Sequence, residues 1–146
     1  MERKMKIKKT VTLQGFTLLE LLVVLAIIAM LAGLVAPQVM KHMSGAKSKT
    51  AKVQIEDLSA ALDMYRLDVG KYPTTEQGLQ ALVEKPDNAK RWNGPYLRKN
   101  KIPQDPWGED YKYASPGEKG KFDIYTYGLD GKEGGEGEDA DIGSWD

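Results

Sequence analysis

Two groups of residues in this chain have the chemistry to do something specific. Toward the carboxyl end, the eighteen residues from Leu129 to Asp146 carry seven carboxylates (Asp130, Glu133, Glu136, Glu138, Asp139, Asp141 and Asp146), one cation, Lys132, and five glycines. A hard cation such as calcium needs six to eight oxygen ligands, and glycine lets backbone carbonyls turn inward to supply some of them. The competing reading is a solvated acidic tail, yet a tail with nothing to neutralise it should not finish in Ile142 and Trp145, which want burial. The loop is not an EF-hand. Asp130 and Asp141 stand at positions one and twelve with Gly135 at six, but Lys132 and Gly134 occupy ligand positions three and five, and position twelve is Asp rather than Glu. The second group is a single residue, Glu20, set inside an otherwise apolar run from Phe16 to Val35. A carboxylate there is expensive in lipid and needs a reason.

Other chemistries lack their residues. There is one histidine, His42, and no cysteine, so neither a zinc cluster nor a disulfide can be built. A small exported domain without disulfides needs another staple, such as a metal or assembly with partners. No cysteine nucleophile, phosphate-binding glycine loop or Gly-x-Ser-x-Gly elbow is present, and the chain reads as a non-enzyme. The three tryptophans and seven tyrosines have no accompanying basic stripe, which argues against nucleic acid as a partner.

The run that carries Glu20 is the element that must position it. Twenty residues of helix rise ~30 Å, about the hydrocarbon thickness of a bilayer. Ahead of it lies a leader, residues 1–15, with Arg3, Lys4, Lys6, Lys8 and Lys9. Positive charge before a span keeps that end in the cytoplasm, so the bulk of the protein is expected across the membrane. The cations Lys41, Lys47, Lys49 and Lys52 after the span weaken that asymmetry. An ordinary cleaved signal peptide would need a small-x-small site, and Leu34-Val35-Ala36 followed by Pro37 does not supply one. A plain membrane anchor fits the length but leaves Glu20 unexplained.

Gly15-Phe16-Thr17-Leu18-Leu19-Glu20, after a short basic leader and before an apolar helix, resembles the type IV prepilin signature. The resemblance implies cleavage by a prepilin peptidase between Gly15 and Phe16 and methylation of the new amine of Phe16. Removal of residues 1–15 leaves sixteen Lys and Arg against twenty Asp and Glu, a formal charge of −4. The resemblance also gives Glu20 a purpose, since a carboxylate at the fifth mature position can pair with the N-terminal ammonium of a neighbouring subunit. Two buried charges that neutralise each other cost far less than either alone.

Pro37 is expected to kink or locally melt the helix by removing one backbone donor. Ala51, Ile55, Leu58, Leu62, Tyr65 and Val69 then recur at spacings of four and three, one apolar stripe of an amphipathic helix that should end near Gly70. Thr74 and Gln77 suggest a capping box opening a short helix through Val83, buried by Leu79, Leu82 and Val83. A long ordered loop runs from Lys85 to Asp110, pinned by Trp92, Tyr96, Leu97, Ile102 and Trp107. Alternation over Tyr111–Tyr113 and Phe122–Tyr127 predicts an antiparallel hairpin covering the helix.

The second half resembles the major pseudopilins of type II secretion systems. Lys71-Tyr72-Pro73-Thr74-Thr75-Glu76-Gln77-Gly78-Leu79, Pro95-Tyr96-Leu97, Asp105-Pro106-Trp107-Gly108 and Asp139-Ala140-Asp141-Ile142-Gly143-Ser144-Trp145 carry the likeness. It implies an α+β, type IV pilin-like lollipop: a leader at 1–15, a transmembrane and filament-core helix at 16–36, an amphipathic continuation at 37–70 and a periplasmic head at 71–146. It implies a family-specific calcium site in the acidic loop, with Asp130, Asp139 and Asp141 as side-chain ligands and the Leu129 carbonyl as a backbone ligand. The function it implies is a subunit that polymerises with itself and with minor pseudopilins, driven by an inner-membrane platform and its ATPase. The periplasmic filament so formed would export folded proteins across the outer membrane. The alternative is a type IV pilus or competence pilin, which shares everything through residue 36; type IVa major pilins usually carry a cysteine pair that is missing here. A membrane-anchored calcium-binding enzyme or sensor would need a catalytic pocket for which no residues are evident.

Overall fold

The computed structural model describes residues 15–146, so the basic leader, apart from Gly15, lies outside the described residues. The chain forms two compact units, 1–39 and 40–146. One helix, α1 (Leu18–Val69), runs from the first into the second. Residues Leu18–Val39 are long and apolar enough to cross a membrane, and none of this stretch is buried within the protein. Helix α1 continues across Pro37, which lies inside it, so of the two expected outcomes there local melting is not what the structure shows. A proline removes a single donor, and the turns on either side keep their own bonds.

In the second unit the apolar stripe forms the core. Ala51, Ile55, Leu58, Leu62 and Tyr65 are buried, with Val69 packed at the margin. Helix α1 stops because Gly70 takes φ 93° while its N–H still closes on the Arg66 carbonyl at 2.8 Å, a left-handed cap that glycine adopts without a Cβ penalty.

The predicted helix over 74–83 is corrected. The capping-box bonds do form, Thr74 N–H to Gln77 Oε1 at 2.9 Å and Gln77 N–H to Thr74 Oγ1 at 3.3 Å. They enclose only a turn, because Gly78 at φ 60°, ψ −169° leaves helical space, and the chain continues as a 3-10 turn over Leu79–Leu82. Its Leu79, Ala81 and Leu82 reach the core, while Val83 is only half-buried.

The next loop is ordered by its aromatic residues. Trp92, Tyr96, Leu97, Ile102 and Trp107 all pack against the core, as expected. Trp92 Nε1 donates to the Ala81 carbonyl at 2.8 Å and Tyr96 OH to Asp68 at 2.9 Å, tying the loop to the 3-10 turn and to α1.

The sheet has three antiparallel strands in the order β1 (Lys112–Ala114), β2 (Asp123–Thr126), β3 (Ile142–Gly143). Lys112 pairs with Tyr125 and Ala114 with Asp123, while Thr126 pairs with Ile142. The predicted hairpin is therefore present, and the carboxyl-terminal β3 extends it. Ile124, Ile142 and Tyr111 join the α1 stripe in one core, and Tyr111 OH donates to Gln54 of α1 at 2.6 Å. The result is an α+β layer of sheet on helix.

Candidate functional site

The amino-terminal site is built by the first turn of α1. Four N–H groups at a helix start have no intrahelical partner, and in an apolar medium each must find one. Thr17 precedes the helix and Glu20 is its third residue, and together they close a reciprocal box. Thr17 N–H donates to Glu20 Oε2 at 3.1 Å, Thr17 Oγ1–H donates to the same oxygen at 3.2 Å, and Glu20 N–H donates to Thr17 Oγ1 at 3.2 Å. Leu21 N–H reaches the Thr17 carbonyl at 3.2 Å, the first bond of the helix. Gly15 and Phe16 precede this box without regular structure, and Phe16 is 86% exposed. Thr17 was missed from sequence although Thr-x-x-Glu before an apolar run is the capping-box signature.

The carboxyl-terminal site is the excursion between β2 and β3. Leu129 N–H bonds the Glu138 carbonyl at 2.8 Å and closes the loop neck. Gly128 (φ 68°) sits so close to this neck that a Cβ would strike the carbonyl oxygens of Glu138 and Ala140, and a Cβ on Gly135 (φ 101°) would strike that of Asp139. Glycine is thus required where the two limbs of the loop meet. Asp130 Oδ1 accepts from Lys132 N–H at 3.0 Å, and Asp141 Oδ2 from Gly134 N–H at 2.9 Å. Asp141 Oδ1 is buried with no hydrogen-bond partner among the described residues. An orphaned buried carboxylate oxygen is what a cation would satisfy, and the donor set fits a hard ion to that extent. Asp139 lies in the 3-10 turn Gly137–Asp139. Among the described residues no group of three acidic or histidine side chains is gathered as a metal cage; Asp130, Asp139 and Asp141 share one loop.

The loop is anchored on the core by residues whose role sequence alone did not reveal. Asp105 is buried at 4% exposure and accepts from Trp107 N–H at 3.0 Å, Glu109 N–H at 2.8 Å and the Thr126 hydroxyl. Thr126 in turn accepts from Gly128 N–H at 3.2 Å, so one chain of bonds links the Asp105-Pro106-Trp107-Gly108 turn to the loop neck. Ile142 is buried, and Trp145, 36% exposed, lies over Gly143 with Lys119 Nζ 3.6 Å from its ring centroid. The last residues are therefore packed, not a free tail. The Tyr127 hydroxyl is pushed above its ordinary value, first by hydrogen bonding with Tyr125 and further by the charges of Glu133 and Asp141.

A long helix with an exposed apolar amino-terminal half and a small antiparallel sheet on its other half defines a pilin-like subunit. Residues 14–36 match the prokaryotic N-terminal methylation motif. Residues 38–145 match the type II secretion system protein G family, and the chain belongs to that family of pseudopilins. The type II secretion system core protein G of Pseudomonas aeruginosa is 54% identical over 136 residues, covering 90% of this chain and 94% of that one. That of Vibrio cholerae is 51% identical over 134 residues, covering 90% of each. The crystal structure of the major pseudopilin from the type 2 secretion system of enterohaemorrhagic Escherichia coli superposes with a TM-score of 0.62 at 41% identity, covering 73% of this chain and 92% of that one.

Proposed function

We propose that this chain is the major subunit of a periplasmic pseudopilus. The prepilin peptidase cuts between Gly15 and Phe16, the Phe16 amine is methylated, and α1 waits in the bacterial inner membrane as a single span with the head in the periplasm. An inner-membrane platform and its ATPase then lift subunits into a helical homopolymer joined by minor pseudopilins. Growth of the filament drives folded proteins across the outer membrane. The observation that carries this reading is the wholly exposed apolar stretch Leu18–Val39 with Glu20 in its first turn. In a filament that surface exchanges lipid contacts for helix contacts, and Glu20 exchanges solvent for the ammonium of the adjacent Phe16.

Within the head we propose that calcium binds the acidic loop through Asp130, Asp139, Asp141 and the Leu129 carbonyl. The buried, unpartnered Oδ1 of Asp141 supports this. The ion would supply charge neutralisation and cross-link the two limbs of the loop, standing in for the disulfide that a cysteine-free chain cannot form.

The test is Glu20→Ala in cells carrying the secretion apparatus. The variant should be cleaved and inserted normally, yet yield no sheared filaments and no exported protein. Normal filaments from Glu20→Ala would remove the charge-pairing mechanism.

A further inference from the structure

We propose that the outer face of the sheet binds a saccharide strand bearing carboxylates, laid along a row of three aromatic rings. The site goes beyond the filament role, because it stands on residues of the head alone. In an antiparallel sheet with one face on the core, the other face is ordinarily polar. Here Tyr113 pairs with Ile124 and Thr126 with Ile142, and these side chains face the core. Lys112 and Gly143 both pair with Tyr125, so these three have the opposite parity and face outward. The Tyr125 ring lies 5.2 Å from that of Tyr127 and 5.8 Å from that of Trp145, centroid to centroid. Gly143 makes room for the row, since a Cβ there would strike the Trp145 indole. A lysine stands at each end: Lys112 Nζ is 5.3 Å from the Tyr127 centroid, and Lys119 lies over Trp145.

The size and composition of this face select its occupant. A fully covered aromatic side chain buries ~150–250 Å², and these three are already more than half covered, which leaves under about 400 Å² against the ~800 Å² per side of a standard protein interface. The exposed aliphatic side chains Met43, Val53, Met64 and Leu67 lie on α1 and Leu129 in the acidic loop, so they do not widen the row. A saccharide strand is narrow. Its C–H groups pack on electron-rich ring faces, and its hydroxyls use donors and acceptors alike. Lysine and tyrosine supply donors, while Glu133 and Asp141, whose charges reach the Tyr127 hydroxyl, supply acceptors at that end. Lys112 and Lys119 are exposed cations and complement carboxylates carried along the strand.

The processed full-length chain in phospholipid nanodiscs is titrated with the peptidoglycan disaccharide of N-acetylglucosamine and N-acetylmuramic acid, which carries one carboxylate. The uncharged control is di-N-acetylchitobiose. The readout is the Trp145 indole N–H shift in nuclear magnetic resonance, assigned with Trp145→Phe. The acidic sugar should give a saturable shift and bind about fivefold more tightly than the control, the upper range for an exposed ion pair. Tyr125→Ala should weaken it about tenfold, as for loss of one aromatic contact, whereas Tyr125→Phe should match the parent. The double variant Lys112→Gln, Lys119→Gln should bind both sugars alike. No saturable shift in the parent, equal affinity for the two sugars, or parent-like binding by Tyr125→Ala overturns the site. Thermal unfolding checks that each variant folds. If Tyr125→Ala does not, the lysine variant decides, because a preference for the acidic sugar that survives it overturns the site. Capture of an exported protein by the parent but not by the lysine variant, without any sugar shift, overturns it in favour of a protein partner. Filaments from Glu20→Ala are read separately, so this site and the filament reading fail independently.

Discussion

Asp105→Ala tests how the head is held together. In the parent, the buried carboxylate accepts two backbone N–H groups of its own turn and the hydroxyl of Thr126 on β2. Hydrogen bonds to a charged acceptor contribute ~1.5–3 kcal/mol each, and a donor left buried without a partner costs ~1–3 kcal/mol. Glu109 is exposed and its N–H can turn to water, and the Thr126 hydroxyl can rotate, so the full sum does not apply. A loss of about 3 kcal/mol is the expectation, a large share of the ~5–15 kcal/mol typical of a domain. For a unit the size of residues 40–146, that corresponds to a fall in melting temperature of about 10–20 °C. The assay is thermal unfolding of the 40–146 fragment by circular dichroism, since the entire core lies within that unit. Thr126→Val should cost less than Asp105→Ala, and the double variant less than the two added, because they share one bond. A melting temperature within about 3 °C of the parent for Asp105→Ala would refute the anchor.

Two further outcomes concern the head. Gly128→Ala forces a Cβ onto the carbonyls of Glu138 and Ala140 and should destabilise far more than Gly131→Ala, where φ is 65° but nothing lies within 4 Å; equal melting temperatures would contradict the tight loop neck. Burial raises the hydroxyls of Tyr65, Tyr96, Tyr111 and Tyr113, the last to about 12. A raised folded value means that stability is intact below the unfolded tyrosine value near 10 and declines as pH climbs through the folded values. Tyrosinate absorbance from these rings should therefore appear together with loss of helical signal, and full ionisation of a still-folded head near pH 10 would contradict their burial.

Sequence periodicity was most informative where one physical force dominates. The stripe Ala51, Ile55, Leu58, Leu62, Tyr65 is a single helical face, and all five are buried because only burial explains that spacing. The lone Glu20 in an apolar run stood out for the same reason. Where several weak forces compete, pattern failed. Gly78 overrode the Thr74–Gln77 box, a backbone preference defeating a cap. Strand β3 is two residues long and has no period to read, although Ile142 showed that the end of the chain must be buried. Asp105 was visible only as part of a familiar tetrapeptide, and its link to Thr126 spans 21 residues, which no local pattern reports. In the acidic loop, composition pointed to a cation, while the arrangement of Asp130, Asp139 and Asp141 depends on backbone turns at Gly128 and Gly135.

The most direct measurement is a filament reconstruction by electron cryomicroscopy at side-chain resolution. The account predicts the Glu20 carboxylate within about 4 Å of the Phe16 amine of an adjacent subunit, the usual reach of an ion pair. A filament in which Glu20 meets no neighbouring amine, with the apolar stretch of α1 still in lipid or solvent, would contradict it.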